Sequence, residues 1–77
     1  MKRILLTQAK ENHKYRVLEI QGGSLLQHKM MSLGIYAGKE ITKLSHFALR
    51  GPVTIKSGRS VLALGHGTAA KIIVETE

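Results

Sequence analysis

Ser24-Leu25-Leu26-Gln27-His28-Lys29-Met30-Met31-Ser32-Leu33-Gly34-Ile35-Tyr36-Ala37-Gly38-Lys39 holds a helix start, a helix stop and a turn into a strand. Ser24 is predicted to accept a hydrogen bond from the backbone N–H of Gln27 while the Gln27 side chain returns to the N–H of Ser24, a capping box. Leu26, Met30 and Leu33 recur at i, i+4 and i+7, so they share one side of a helix and leave Gln27, Lys29 and Ser32 to water. Of Met30 and Met31, one is read as core and the other as lying at its edge. Gly34 follows the last periodic residue, where a left-handed backbone is cheap for glycine, so the helix should end at Leu33. Gly38 allows a second reversal. A helix this short does not fold alone and must lie on a sheet.

Strands are predicted on both sides of it. Lys14–Gln21, bounded by Gly22-Gly23, reads as the strand that enters the helix, and Lys39–Phe47 as the strand that leaves it. In the latter, Ile41 and Leu44 are three apart, which breaks strict alternation and calls for a bulge. Val53–Lys56 alternates apolar with polar, Ser57-Gly58 has the length of a two-residue hairpin loop, and Arg59–Leu64 returns as its partner. Gly65–Ala70 is a turn with at most one loose helical turn, and Lys71–Glu75 is a last strand of branched residues. The chain therefore reads as mainly β: a small, strongly bent antiparallel barrel of about five strands, with one short helix between strands 1 and 2.

Composition narrows the chemistry. The 77 residues make one domain, 1–77, which buries only about 60% of the surface its unfolded chain exposes. There is no cysteine, hence no disulfide, thiolate zinc site or cysteine nucleophile, which fits a reducing cytoplasm. The apolar run after Met1-Lys2-Arg3 stops at Thr7, too short for an export signal, and no window approaches a membrane span. Twelve Lys and Arg against five Glu give a net charge of +7, which favours anionic partners.

Gly22-Gly23, Leu33-Gly34-Ile35 with Gly38 three residues on, Gly51-Pro52-Val53, Ala63-Leu64-Gly65 and Ala70-Lys71-Ile72-Ile73-Val74 stand in an order that resembles a known family. That family is ferrous iron transport protein A, FeoA, a stand-alone SH3-like barrel, and the likeness covers roughly residues 4 to 75. The barrel is also similar to the C-terminal domain of iron-dependent repressors, although this chain has no room for their DNA-reading domain. The resemblance implies a non-enzymatic cytoplasmic accessory of a membrane ferrous-iron permease that carries a GTP-binding domain, acting by protein contact. Many relatives carry acids just before the last strand, where this chain has Gly67-Thr68-Ala69-Ala70.

The residues agree with a protein without catalysis. His13, His28, His46 and His66 are widely spaced with no carboxylate at a ligand-like offset, so they are read as structural or exposed and no metal site is predicted. The chain has no Asp, hence no Ser-His-Asp set, and Gly34–Lys39 does not match a phosphate-binding loop. No catalytic or cofactor-binding residue is predicted. For partner binding, Tyr36 and Lys39 in the helix-to-strand turn and Phe47, Leu49 and Arg50 in the loop before Gly51 are singled out, because exposed apolar and Arg side chains at loop tips make hot spots. The charge adds peripheral contact with an anionic inner leaflet. The alternative reading is a basic SH3-like or OB-like barrel that binds single-stranded nucleic acid. The three aromatics Tyr15, Tyr36 and Phe47 are not interleaved with the cations as stacking requires, so nucleic acid is not the expected partner.

Overall fold

The computed structural model of the chain describes residues 2–47 and 50–76. Its strands are β1 (Arg3–Leu5), β2 (His13–Ile20), β3 (Glu40–His46), β4 (Val53–Ser57), β5 (Ser60–Leu64) and β6 (Ile72–Thr76). Helix α1 spans Ser24–Ser32, a short helix α2 spans His66–Ala69, and a 3-10 turn covers Leu6–Gln8. The strands form one antiparallel sheet in the order β1-β6-β2-β3-β4-β5. The Cα trace extends 27 × 25 × 24 Å, and the twisted sheet, interrupted by two bulges, wraps a single core.

The predicted class holds, with three corrections of detail. The sheet has six strands, because Arg3–Leu5 pairs with β6 through Ile4 and Val74. The apolar Ile4-Leu5-Leu6 run is thus a short edge strand and the start of a turn. The main helix accordingly lies between the second and third strands. The hairpin turn is Gly58-Arg59, one residue later than predicted, with Ser57 paired to Ser60. Gly58 has φ 62° while Arg59 has negative φ, the pattern of a type II′ turn with glycine first.

The capping box is not formed. Gly23, with φ 90°, takes the N-cap position of α1 and its carbonyl accepts the N–H of Gln27 at 3.2 Å. Ser24 is already helical, and Gln27 Nε2 instead donates to the carbonyl of Ile20 at 3.1 Å, fastening the helix to the end of β2. The stop is as read. Gly34 N–H donates to Met31 O at 3.0 Å and Ile35 N–H to Met30 O at 2.9 Å, the paired bonds of a Schellman motif, with Gly34 at φ 88°. Ile35 is then fully buried, and Met30 is buried while Met31 is exposed. Leu33, at the end of the predicted apolar stripe, keeps 38% of its surface. Replacing Gly34 by alanine forces a side chain into left-handed backbone. A loss of about 1 kcal/mol in chemical denaturation is expected.

Inside the rolled sheet, Tyr15, Val17, Ile41, Val53, Ile55, Ile72 and Val74 meet Met30 and Ile35 from the helix side and Leu6 from the 3-10 turn. Register shifts interrupt two ladders. One lies between Val17 and Glu19 in β2, the other between Lys43 and Ser45 in β3. Such bulges bend the strands enough to close the sheet on itself. The second is the bulge expected from the Ile41–Leu44 spacing, but it sorts the side chains differently. Ile41 and Lys43, two apart, share the inner face, and Leu44 is only half-buried.

Candidate functional site

Period-two alternation upstream of the β3 bulge carries a lysine into the interior. Lys43 is 1% exposed, and its Nζ donates to Ala9 O at 2.6 Å and Leu6 O at 3.2 Å, with Thr7 O at 3.4 Å. The Nδ1 of His46 lies 3.4 Å away and can be a fourth acceptor in the tautomer that carries its proton on Nε2. These carbonyls belong to the 3-10 turn and the residues just after it, so one ammonium holds the N-terminal segment against β3. Burial pushes the amine below its ordinary value, and the carboxylate of Glu11 offsets part of that. Glu11 Oε2 also accepts the backbone N–H of His46 at 3.0 Å, and Asn12, at φ 61°, donates its N–H to Lys43 O.

Beside Lys43, the His46 ring lies 6.0 Å from the His66 ring of α2, centroid to centroid, tilted by 31°. Both line an open depression of about 700 Å³ with Thr7, Ala9, Lys10, Glu11 and Lys43. His46 Nε2 and His66 Nδ1 are buried without a hydrogen-bond partner among the described residues. Sequence spacing gives no hint of this pair, because the two histidines meet only when α2 packs near the end of β3. Among the described residues no three His, Cys, Asp or Glu side chains converge as metal ligands would.

The residues singled out for docking fall in two places. Tyr36 and Lys39 precede β3, in a turn held by Gly38 N–H to Val17 O at 2.7 Å and Val17 N–H to Lys39 O at 2.9 Å. Phe47 and Arg50 follow β3, and Phe47 N–H donates to Pro52 O at 3.1 Å. Seven residues of strand, on the order of 20 Å, separate the pairs. Tyr36 is 43% and Phe47 76% exposed, Arg50 is exposed and Lys39 is half-buried. Leu49 lies outside the described residues. With Tyr15 buried, the two exposed aromatics stand at opposite ends of β3 and form no continuous stacking platform. The first pair reaches the β4–β5 hairpin: Ser57 Oγ donates to Gly34 O at 2.9 Å, and Lys39 Nζ lies beside Gly58.

No helix among the described residues is long and apolar enough to cross a membrane. Compared with known proteins, residues 4–76 match the model of the FeoA domain. A protein of Methanocaldococcus jannaschii named "Putative Fe(2+) transport protein A" is 34% identical over 67 residues, which cover 87% of this chain and 79% of that one. The crystal structure of an iron uptake regulatory protein, FeoA, superposes with a TM-score of 0.86 at 28% identity, covering 97% of each chain. A manganese-dependent transcriptional repressor gives the same TM-score at 17% identity over 42% of its length, a likeness of fold alone.

Proposed function

Because this chain belongs to the FeoA domain family, we propose that it is a non-enzymatic accessory of ferrous-iron transport that regulates a membrane permease by contact with the permease's GTP-binding domain. The observation that supports this reading most is the extent of the family match, residues 4–76, which takes in β2 to β6 whole and β1 from Ile4. Its place of action is the cytoplasm. Tyr36 and Lys39 at one end of β3 and Phe47 and Arg50 at the other serve as its contacts, together with Leu49, which lies between the latter two in sequence. Exposed aromatic and Arg side chains at turn tips are the groups from which interface hot spots are built. The surplus of Lys and Arg adds attraction to an anionic membrane leaflet, about 1 kcal/mol for each cation near the lipid surface.

Capture of the permease's soluble GTP-binding domain by this protein tests the reading, carried out at two salt concentrations with single-stranded nucleic acid as a control. Saturable capture that survives the higher salt is expected. Tyr36→Ala and Phe47→Ala should each weaken it by about 1 to 2 kcal/mol, roughly five- to thirtyfold, without unfolding the protein. Retention of nucleic acid alone, falling steeply with salt, would replace the transport reading with the nucleic-acid one. Binding to acidic vesicles that ignores salt would remove the electrostatic membrane contact.

A further inference from the structure

The two edges of the sheet differ. β1 is three residues long and runs directly into the 3-10 turn, whereas β5 offers five residues, Ser60-Val61-Leu62-Ala63-Leu64. β5 pairs only with β4, and no backbone bond from it to any other element occurs among the described residues. The two-residue hairpin makes Ser57 and Ser60 a hydrogen-bonded pair, so Ser60, Leu62 and Leu64 turn their backbone groups toward β4. The N–H and C=O groups of Val61 and Ala63 therefore face outward. Both residues are exposed, Val61 by 60%. Edge strands are ordinarily guarded by a charge, a proline or a bulge, and β5 contains none of these.

Charge determines what this edge accepts. Between Glu40 and Glu75 the sequence contains Lys43, Arg50, Lys56, Arg59 and Lys71 and no acidic residue. Lys56 stands directly across from Val61, Arg59 sits in the turn at the start of β5, and Lys39 Nζ reaches the same turn beside Gly58. None of Lys39, Lys56 and Arg59 forms an ion pair among the described residues. A second copy of this chain, itself at +7, would bring like charges together along such an edge.

We propose that the free edge of β5 is a docking site for an extended, acidic segment of a partner protein, which adds along Ser60–Leu64 as a seventh strand. The outward N–H and C=O groups of Val61 and Ala63 supply the ladder, and carboxylates alternating along the added strand meet Lys39, Lys56 and Arg59. Strand addition of this kind draws affinity from main-chain bonds and specificity from the flanking side chains. The edge also connects the two predicted contact regions, since Lys39 Nζ lies beside Gly58 in the turn that precedes Ser60, and Leu64 pairs with Val53 near Pro52 and Phe47. The proposal specifies how the partner contact would be made, and it rests on the transport reading only for the partner's identity.

The test is titration of the isotopically labelled protein with a short blocked peptide of alternating glutamate and threonine, followed by the backbone amide signals. Saturable shifts centred on Val61 and Ala63, with slowed hydrogen exchange at those two amides, are expected. Ala63→Pro removes one outward N–H at a position where an edge strand tolerates proline, and should weaken binding roughly tenfold. Arg59→Glu leaves the ladder intact and should weaken it severalfold, which keeps the test decisive if the proline variant unfolds. Shifts spread over all the lysines and unchanged by Ala63→Pro would overturn the proposal, as would no binding, or concentration-dependent pairing of β5 with itself. Because the probe is synthetic, a failure here is separate from a failure to capture the permease domain.

Discussion

Lys43→Met is expected to lower the unfolding free energy by about 2 to 4 kcal/mol, although lysine is ordinarily the residue a core tolerates least. Methionine keeps most of the stem's volume and removes only the donor. The carbonyls of Leu6, Thr7 and Ala9 then lose the ammonium; Leu6 O keeps the backbone N–H of Ala9 at 3.1 Å, whereas the carbonyl of the buried Ala9 loses its 2.6 Å donor. A buried acceptor left without a partner costs about 1 to 3 kcal/mol. Relief of the buried charge works in the opposite direction and limits the net loss. Urea unfolding of the two proteins decides the matter, and a variant as stable as the parent would show that the ammonium does not hold the N-terminal segment in place.

The same residue has a pH signature. Burial lowers the folded-state value of Lys43 below its ordinary 10.5, so between the two values the unfolded chain binds more protons than the folded one. Stability contributed at this site therefore rises with pH through that window. Below the lowered folded-state value the desolvation penalty is fully present, and it fades as the amine deprotonates. The stability difference between the parent and Lys43→Met should accordingly widen as pH is raised toward 10.5, and a difference that narrows there would contradict the assignment.

Gly51→Ala is the second large effect. A Cβ at this position would overlap the backbone carbonyl oxygen of Phe47 and lie 3.3 Å from the Phe47 Cβ. The obstruction is backbone, so no rotamer change relieves it. The chain must instead open where β3 leaves its last pair, His46 with Val53, and loosen the Phe47 N–H to Pro52 O bond. About 3 kcal/mol is expected for such an overpacked site, which in a domain of this size lowers Tm by roughly 10 °C or more. Scanning calorimetry tests it, and an unchanged Tm would mean that the loop does not make this close approach. Close packing gives a physical reason for glycine in the Gly51-Pro52-Val53 anchor that supports the family resemblance.

What the sequence by itself determined is local. The Schellman stop at Gly34, the Val53–Leu64 hairpin, the bulge in β3 and the branched last strand each depend on residues a few positions apart, whose turn chemistry and spacing are legible without a partner. The order of glycine and apolar anchors carried the family in the same way. Even so, Ser24 was overruled as a cap, because a second glycine stood one position earlier and could take the N-cap with a backbone no other residue adopts cheaply. Only the tertiary structure decided the rest. Arg3–Leu5 became a strand because β6, some seventy positions away, offered an edge. Lys43 turned inward because the carbonyls after the 3-10 turn arrived to receive its charge, and Leu44 was displaced from the place its hydrophobicity predicts. His46 met His66, and β5 was left at the edge, for the same reason: which surfaces are covered when a sheet rolls up is settled by contacts between distant segments, and no local spacing encodes them.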